Sequence, residues 1–131
     1  IHNIQPKKIP NKPYVVNRTP RHRLATHAKW HEFINQGLCP MSVFVGSPQE
    51  HLDFQHEFHV QIDYLPTSNL LELAQIIQGA EMIFANQSCA LAIAIAMGKS
   101  YWCEPGSGTL HRTPHGGFGD CWFPRPNAIY G

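Results

Sequence analysis

Three consecutive polar residues, Asn86-Gln87-Ser88, interrupt an otherwise apolar stretch from Ile83 to Gly98. Before them stands Ile83-Phe84-Ala85, after them Cys89-Ala90-Leu91-Ala92-Ile93-Ala94-Ile95-Ala96-Met97. This reads as a strand, a turn and a helix that Gly98 closes in the left-handed conformation. Asn86 or Ser88 has the side-chain oxygen a helix cap needs. The first amides of a helix lack intrahelical partners and sit at the positive end of its dipole, so such a turn can hold an anion. The helix is apolar all round and is predicted to be buried.

Two further groups of residues have chemistry to offer. Arg18, Arg21 and Arg23 follow a short apolar run, and guanidinium groups suit bidentate phosphate contacts. Arg18 lies nearest the strand end. They belong to a basic N-terminal third, since seven of the ten Lys and Arg residues precede Trp30. A solvated basic arm accounts for that bias as well. Glu104 ends another apolar run, beside Pro105-Gly106, where a carboxylate can accept bonds from ribose or sugar hydroxyls. Gly46, Ser47, Gln49 and Glu50 form a turn at the carboxyl edge that could line a nucleobase pocket, although its simplest use is to start a helix.

The nine histidines supply no metal motif. His27 with His31, and His56 with His59, have helical spacing, but neither pair has a third ligand at a recognised distance, and HExxH is absent. No metal is expected. His111 and His115 lie in a glycine-rich stretch without a triad partner. Gly116-Gly117-Phe118-Gly119 lacks the Lys-Ser/Thr ending of a phosphate loop.

Positioning these residues requires a regular scaffold, and the periodicities describe one. Strands are predicted at Tyr14–Val16, Met41–Val45, Val60–Tyr64, Met82–Ala85 and Ser100–Cys103. Helices are predicted at Leu24–Gln36, at 48–58 with Ser47 as cap, from Ser68 or Asn69 to Gly79, and after Ser88. In the third of these, Leu70, Leu71, Leu73, Ala74, Ile76 and Ile77 are expected to pack inward. Alternating strands and helices imply an α/β fold: a Rossmann-like three-layer α/β/α domain with a five-stranded parallel sheet in the order 3-2-1-4-5. Its ligand crevice lies where strand order reverses, between the first and fourth strands. Arg18–Arg23 and Asn86–Ser88 would flank it.

Residues 1–12 read as a basic, proline-containing arm or linker, 13–106 as the domain, and 107–131 as an irregular tail packing on it. The opening at Ile1 suggests the C-terminal part of a longer product. A net charge of +1 argues against a general nucleic-acid binder. The longest apolar run is too short to span a bilayer, and no signal-peptide pattern of basic start, apolar run and small-residue site appears. Four dispersed cysteines without CxxC argue against a disulfide framework and for a cytoplasmic setting.

Taken in order, these features resemble the C-terminal, donor-binding half of GT-B glycosyltransferases, heptosyltransferase-like (family 9). The resemblance rests on Lys29-Trp30-His31-Glu32-Phe33, Val43-Phe44-Val45-Gly46, Leu73 through Glu81, and Asn86-Gln87-Ser88 through Ser100. It spans roughly residues 13–106. Where that family has Asp, Gly, Pro and a later His, this chain has Gln87, Cys89, Ala90 and Ala92. The resemblance implies binding of a nucleotide diphosphate sugar by Arg18, Arg21, Asn86, Gln87, Ser88 and Glu104, transferase activity without a required metal, and an acceptor site and base on an N-terminal half. The apolar surface left by a missing half would suit pairing of two copies. The alternative is a stand-alone, non-catalytic module that binds a small anion or a protein partner. A hydrolase is disfavoured, because no nucleophile elbow or paired acids end a strand.

Overall fold

A computed structural model describes residues 4–19, 28–86, 88–104 and 128–130. In chain order it shows β1 (Tyr14–Asn17), α1 (Ala28–Asn35), β2 (Ser42–Phe44), α2 (Pro48–Phe58), β3 (Asp63–Tyr64), α3 (Leu70–Gly79), β4 (Met82–Asn86), α4 (Cys89–Ala96), β5 (Tyr101–Glu104) and β6 (Ala128–Tyr130). All neighbouring strands pair in parallel, and the first five run 3-2-1-4-5 as expected. β6 adds a sixth strand beyond β5, in register Tyr101↔Ala128. The expectation of a wholly irregular segment after 107 is therefore corrected at 128–130.

Alternation along the strands separates two cores. Val15, Val43, Val45, Ile83, Ala85 and Tyr101 face α3 and α4 in an aliphatic cluster with Ile76, Ile77, Leu91 and Ala94. Val16, Phe44 and Trp102 face α1 and α2 in an aromatic one, where Trp30 meets Trp102 and Phe54 edge-on at 4.9 and 5.2 Å. Parallel strands buried on both faces read as continuous apolar runs, as these do. Beside α1 the aromatic face keeps a groove of about 340 Å³ over Tyr14, Phe33, Phe84 and Trp102.

Four expectations need correction. α3 does not bury Leu70 and Leu71, which are 64% and 56% exposed; its inward stripe is Ala74, Ile76 and Ile77, with Leu73 partly buried. α4 is not buried all round, since Cys89, Ala92 and Ala96 are exposed. β3 is two residues long, because the preceding backbone closes α2 instead: His59 turns left-handed, Val60 donates to the Gln55 carbonyl and Ile62 to the Gln55 side chain. Cys103 is disulfide-bonded, while Cys39 and Cys89 are free.

Residues 4–12, read as an arm, lie along α3: the Lys7 amide donates to the Gln75 carbonyl, and Ile9 packs on the aliphatic core. Among the described residues no helix is long and apolar enough to cross a membrane.

The contrast within α3 can be measured. Ile77→Ala empties a site with no exposure and is expected to cost about 2–5 kcal/mol in denaturant unfolding. Leu70→Ala is expected to stay within about 0.5 kcal/mol.

Candidate functional site

The connections after β1, β2 and β4 meet at the carboxyl edge of the sheet. There they enclose a crevice of about 190 Å³, lined by Asn17, Thr19, Val45, Gly46, Glu50, Thr67, Leu73, Ser88, Cys89 and Ala90. It lies at the switch point between β1 and β4, where open parallel sheets bind ligands.

Asn86 ties the two sides together. At the end of β4 and buried, it accepts from the Thr19 amide at 3.0 Å and donates to the Thr19 carbonyl at 3.0 Å. One side-chain amide thus satisfies the backbone of a loop 67 residues away. Ser88, two residues on, is the true cap of α4: its Oγ accepts from the Leu91 amide at 3.2 Å. Gly98 closes the helix at φ +70°, as its sequence position suggests.

Gly46 makes room on the opposite wall. Its φ is +133°, and a Cβ there would stand 2.6 Å from Glu50 Oε1 and 2.8 Å from Asn17 Nδ2. Any side chain would collide with both. Tyr64 Oη donates to the Gly46 carbonyl at 2.6 Å, and Glu50 closes a capping box with Ser47 at the start of α2. The turn, whose favoured use in the sequence is helix initiation, also lines the crevice.

Arg18 and Glu104 are put to a different use from the one expected of them. Both are buried against Phe58 and Trp30 of the aromatic face, and neither is among the lining residues of the crevice. Arg18 Nε donates to Glu104 Oε1 at 2.8 Å and Nη2 to Oε2 at 3.1 Å, a bidentate pair. Nη1 donates to Glu57 at 2.6 Å, and the guanidinium carbon stands 5.1 Å from the Phe58 ring centre. Trp30 Nε1 adds a bond of 2.7 Å to Glu104. This network joins the ends of β1 and β5 to α1 and α2. Sequence reasoning missed it because the partners lie up to 86 residues apart.

Asn17 was also missed. It ends β1, is 4% exposed and donates from Nδ2 to the Val45 carbonyl at 2.6 Å, while its Oδ1 has no partner among the described residues. Only its polarity at a strand end hinted at it. Arg21, Arg23, Gln87, His27, His111 and His115 lie outside the described residues. Among the described residues no group of three or more potential ligands could hold a metal ion.

No family model, curated protein or solved structure matches the chain.

Cys89 opens α4 on the crevice wall and is exposed, whereas Cys39 is buried and its thiol is pushed above its ordinary value by desolvation. Iodoacetamide with mass-spectrometric readout is expected to modify Cys89 well before Cys39. For the buried pair, Arg18→Met leaves Glu104 without its cation and is expected to cost about 3–5 kcal/mol in chemical unfolding. Adding Glu104→Leu to that variant should recover a large part of the loss; no recovery would show that packing rather than charge governs the site.

Proposed function

We propose that the chain is the nucleotide-sugar-binding half of a glycosyltransferase, with the donor's diphosphate held at the start of α4. The observation that carries this reading is the meeting of three connections over one crevice at the switch point, with the first turn of α4 on its wall. The amides of Cys89 and Ala90 precede the first intrahelical bonds, which begin with Leu91 to Ser88 Oγ and Ala92 to the Ser88 carbonyl. Partnerless amides at the positive end of a helix stabilise the charge that develops on a departing diphosphate. The reading asks for no metal, because that helix terminus supplies the stabilisation.

Arg18 serves this reading as a buried post that fixes the β1 connection, not as a phosphate ligand. The acceptor site and the catalytic base are assigned to a separate N-terminal half, in keeping with the family the sequence resembles. A cytoplasmic setting no longer follows from the cysteines, since disulfides such as that at Cys103 persist in oxidising compartments.

Calorimetric titration with UDP, ADP and GDP tests the proposal. At least one is expected to bind in the millimolar range or tighter, and to slow alkylation of Cys89. Absence of heat from all three at millimolar concentration, with Cys89 labelling unchanged, would refute it.

A further inference from the structure

Parallel sheets are ordinarily covered on both faces, and the two central strands here, β1 and β4, are covered completely on only one. Toward α3 and α4, their residues Val15, Ile83 and Ala85 are at most 1% exposed. On the aromatic face, Tyr14, Met82 and Phe84 of the same strands stay partly exposed. They line the groove of about 340 Å³, together with Phe33 and Trp102. That volume lies within the range of small-molecule sites, which begins near roughly 300 Å³. Tyr14 and Phe84 meet at 90° with ring centres 5.6 Å apart, and Phe33 is inclined to Phe84 at 58°. Rings so inclined turn their faces in different directions around one volume.

Three features make this groove electrically negative. Aromatic faces carry the negative part of the ring quadrupole. Gln36 and Leu38, which follow the end of α1, line the groove, and the last carbonyls of a helix form the negative end of its dipole. α1 has no basic residue in its last turn to offset that end. Glu32, exposed one turn before Gln36, is the only charged residue among the lining residues. Gln36 Nε2, a neutral donor 3.4 Å from its carboxylate, leaves that charge in place. An anion is repelled on all three counts, and a neutral apolar ligand gains nothing from them. A cation whose charge is spread over methyl groups gains from each, because it can lie against aromatic faces without giving up hydrogen bonds to water.

We propose that this groove binds a small free organic cation of the quaternary ammonium type, its methyl groups against Tyr14 and Phe84 and its charge toward Glu32. The groove shares no lining residue with the crevice, so the site stands independently of the donor-binding reading.

Chemical-shift titration of the isotope-labelled full chain with choline and with 3,3-dimethylbutan-1-ol tests this. The two differ only in the charged nitrogen that stands in place of a carbon. Choline is expected to shift the amides of Tyr14, Phe33, Phe84 and Trp102 and to bind about threefold to thirtyfold more tightly than the alcohol, the range a cation–π contact allows. Phe84→Leu keeps an apolar side chain and removes the ring; it is expected to remove most of that margin while the alcohol binds as before. Glu32→Gln, at an exposed position, is expected to weaken choline about twofold to fivefold and leave the alcohol unchanged. Should Phe84→Leu fail to fold, Glu32→Gln and the wild-type comparison decide. Equal binding of the two compounds, or no shifts in the groove up to tens of millimolar choline, overturns the proposal. So does a dimer that Phe84→Asp splits, which gives the groove to a second copy of the chain. Retention of the chain on phosphatidylcholine vesicles would assign the ammonium group to a lipid and overturn the free ligand; none is expected. None of these outcomes bears on nucleotide binding at the crevice.

Discussion

A guanidinium taken wholly out of water must be compensated by charge and by hydrogen bonds, and Arg18 is so placed. Glu104 meets it with both carboxylate oxygens, Glu57 takes a third N–H, and Trp30 donates to the same Glu104 oxygen. Each partner comes from a different element: β5, α2 and α1. Because a buried ion pair tolerates little loss of geometry, these elements cannot shift independently at the carboxyl edge of the sheet. The chain leaving β1 is consequently fixed at Arg18. One residue later the Asn86 side chain fixes it again from β4, through the Thr19 backbone. Asn17 and Thr19 of this doubly held connection line the crevice, so that wall is set before any ligand arrives.

Pre-organisation of this kind has a chemical consequence. The basic loop does not supply Arg18 to the crevice, and the charge there comes from the start of α4 and from Glu50. Donors and acceptors thus face each other across a small volume.

The parallel sheet was legible because its information is local. Apolar runs of strand length, helical spacing in α3, the apolar run of α4 and the cap at Ser47 all declare themselves within a few residues, and the caps of α3 and α4 to within two candidates each. The order 3-2-1-4-5 was the one expected of a Rossmann-like sheet, and with it came the place of the crevice. What stayed hidden depends on partners distant in sequence. Nothing near Arg18 announces Glu104, and nothing near Asn17 announces the Val45 carbonyl. Leu70 and Leu71 misled because leucine at helical spacing marks a core face only if another element covers it. The brevity of β3 was equally illegible, because it depends on Gln55 drawing the next backbone segment into the end of α2.

Backbone amide chemical shifts of the isotope-labelled chain, followed while UDP, ADP or GDP is added, test most directly whether this crevice is a ligand site. The expected result is a saturating set of changes centred on Thr19, Gly46, Ser88, Cys89 and Ala90. Changes centred instead on the groove of Phe33, Phe84 and Trp102, or no changes up to millimolar ligand, would contradict the account.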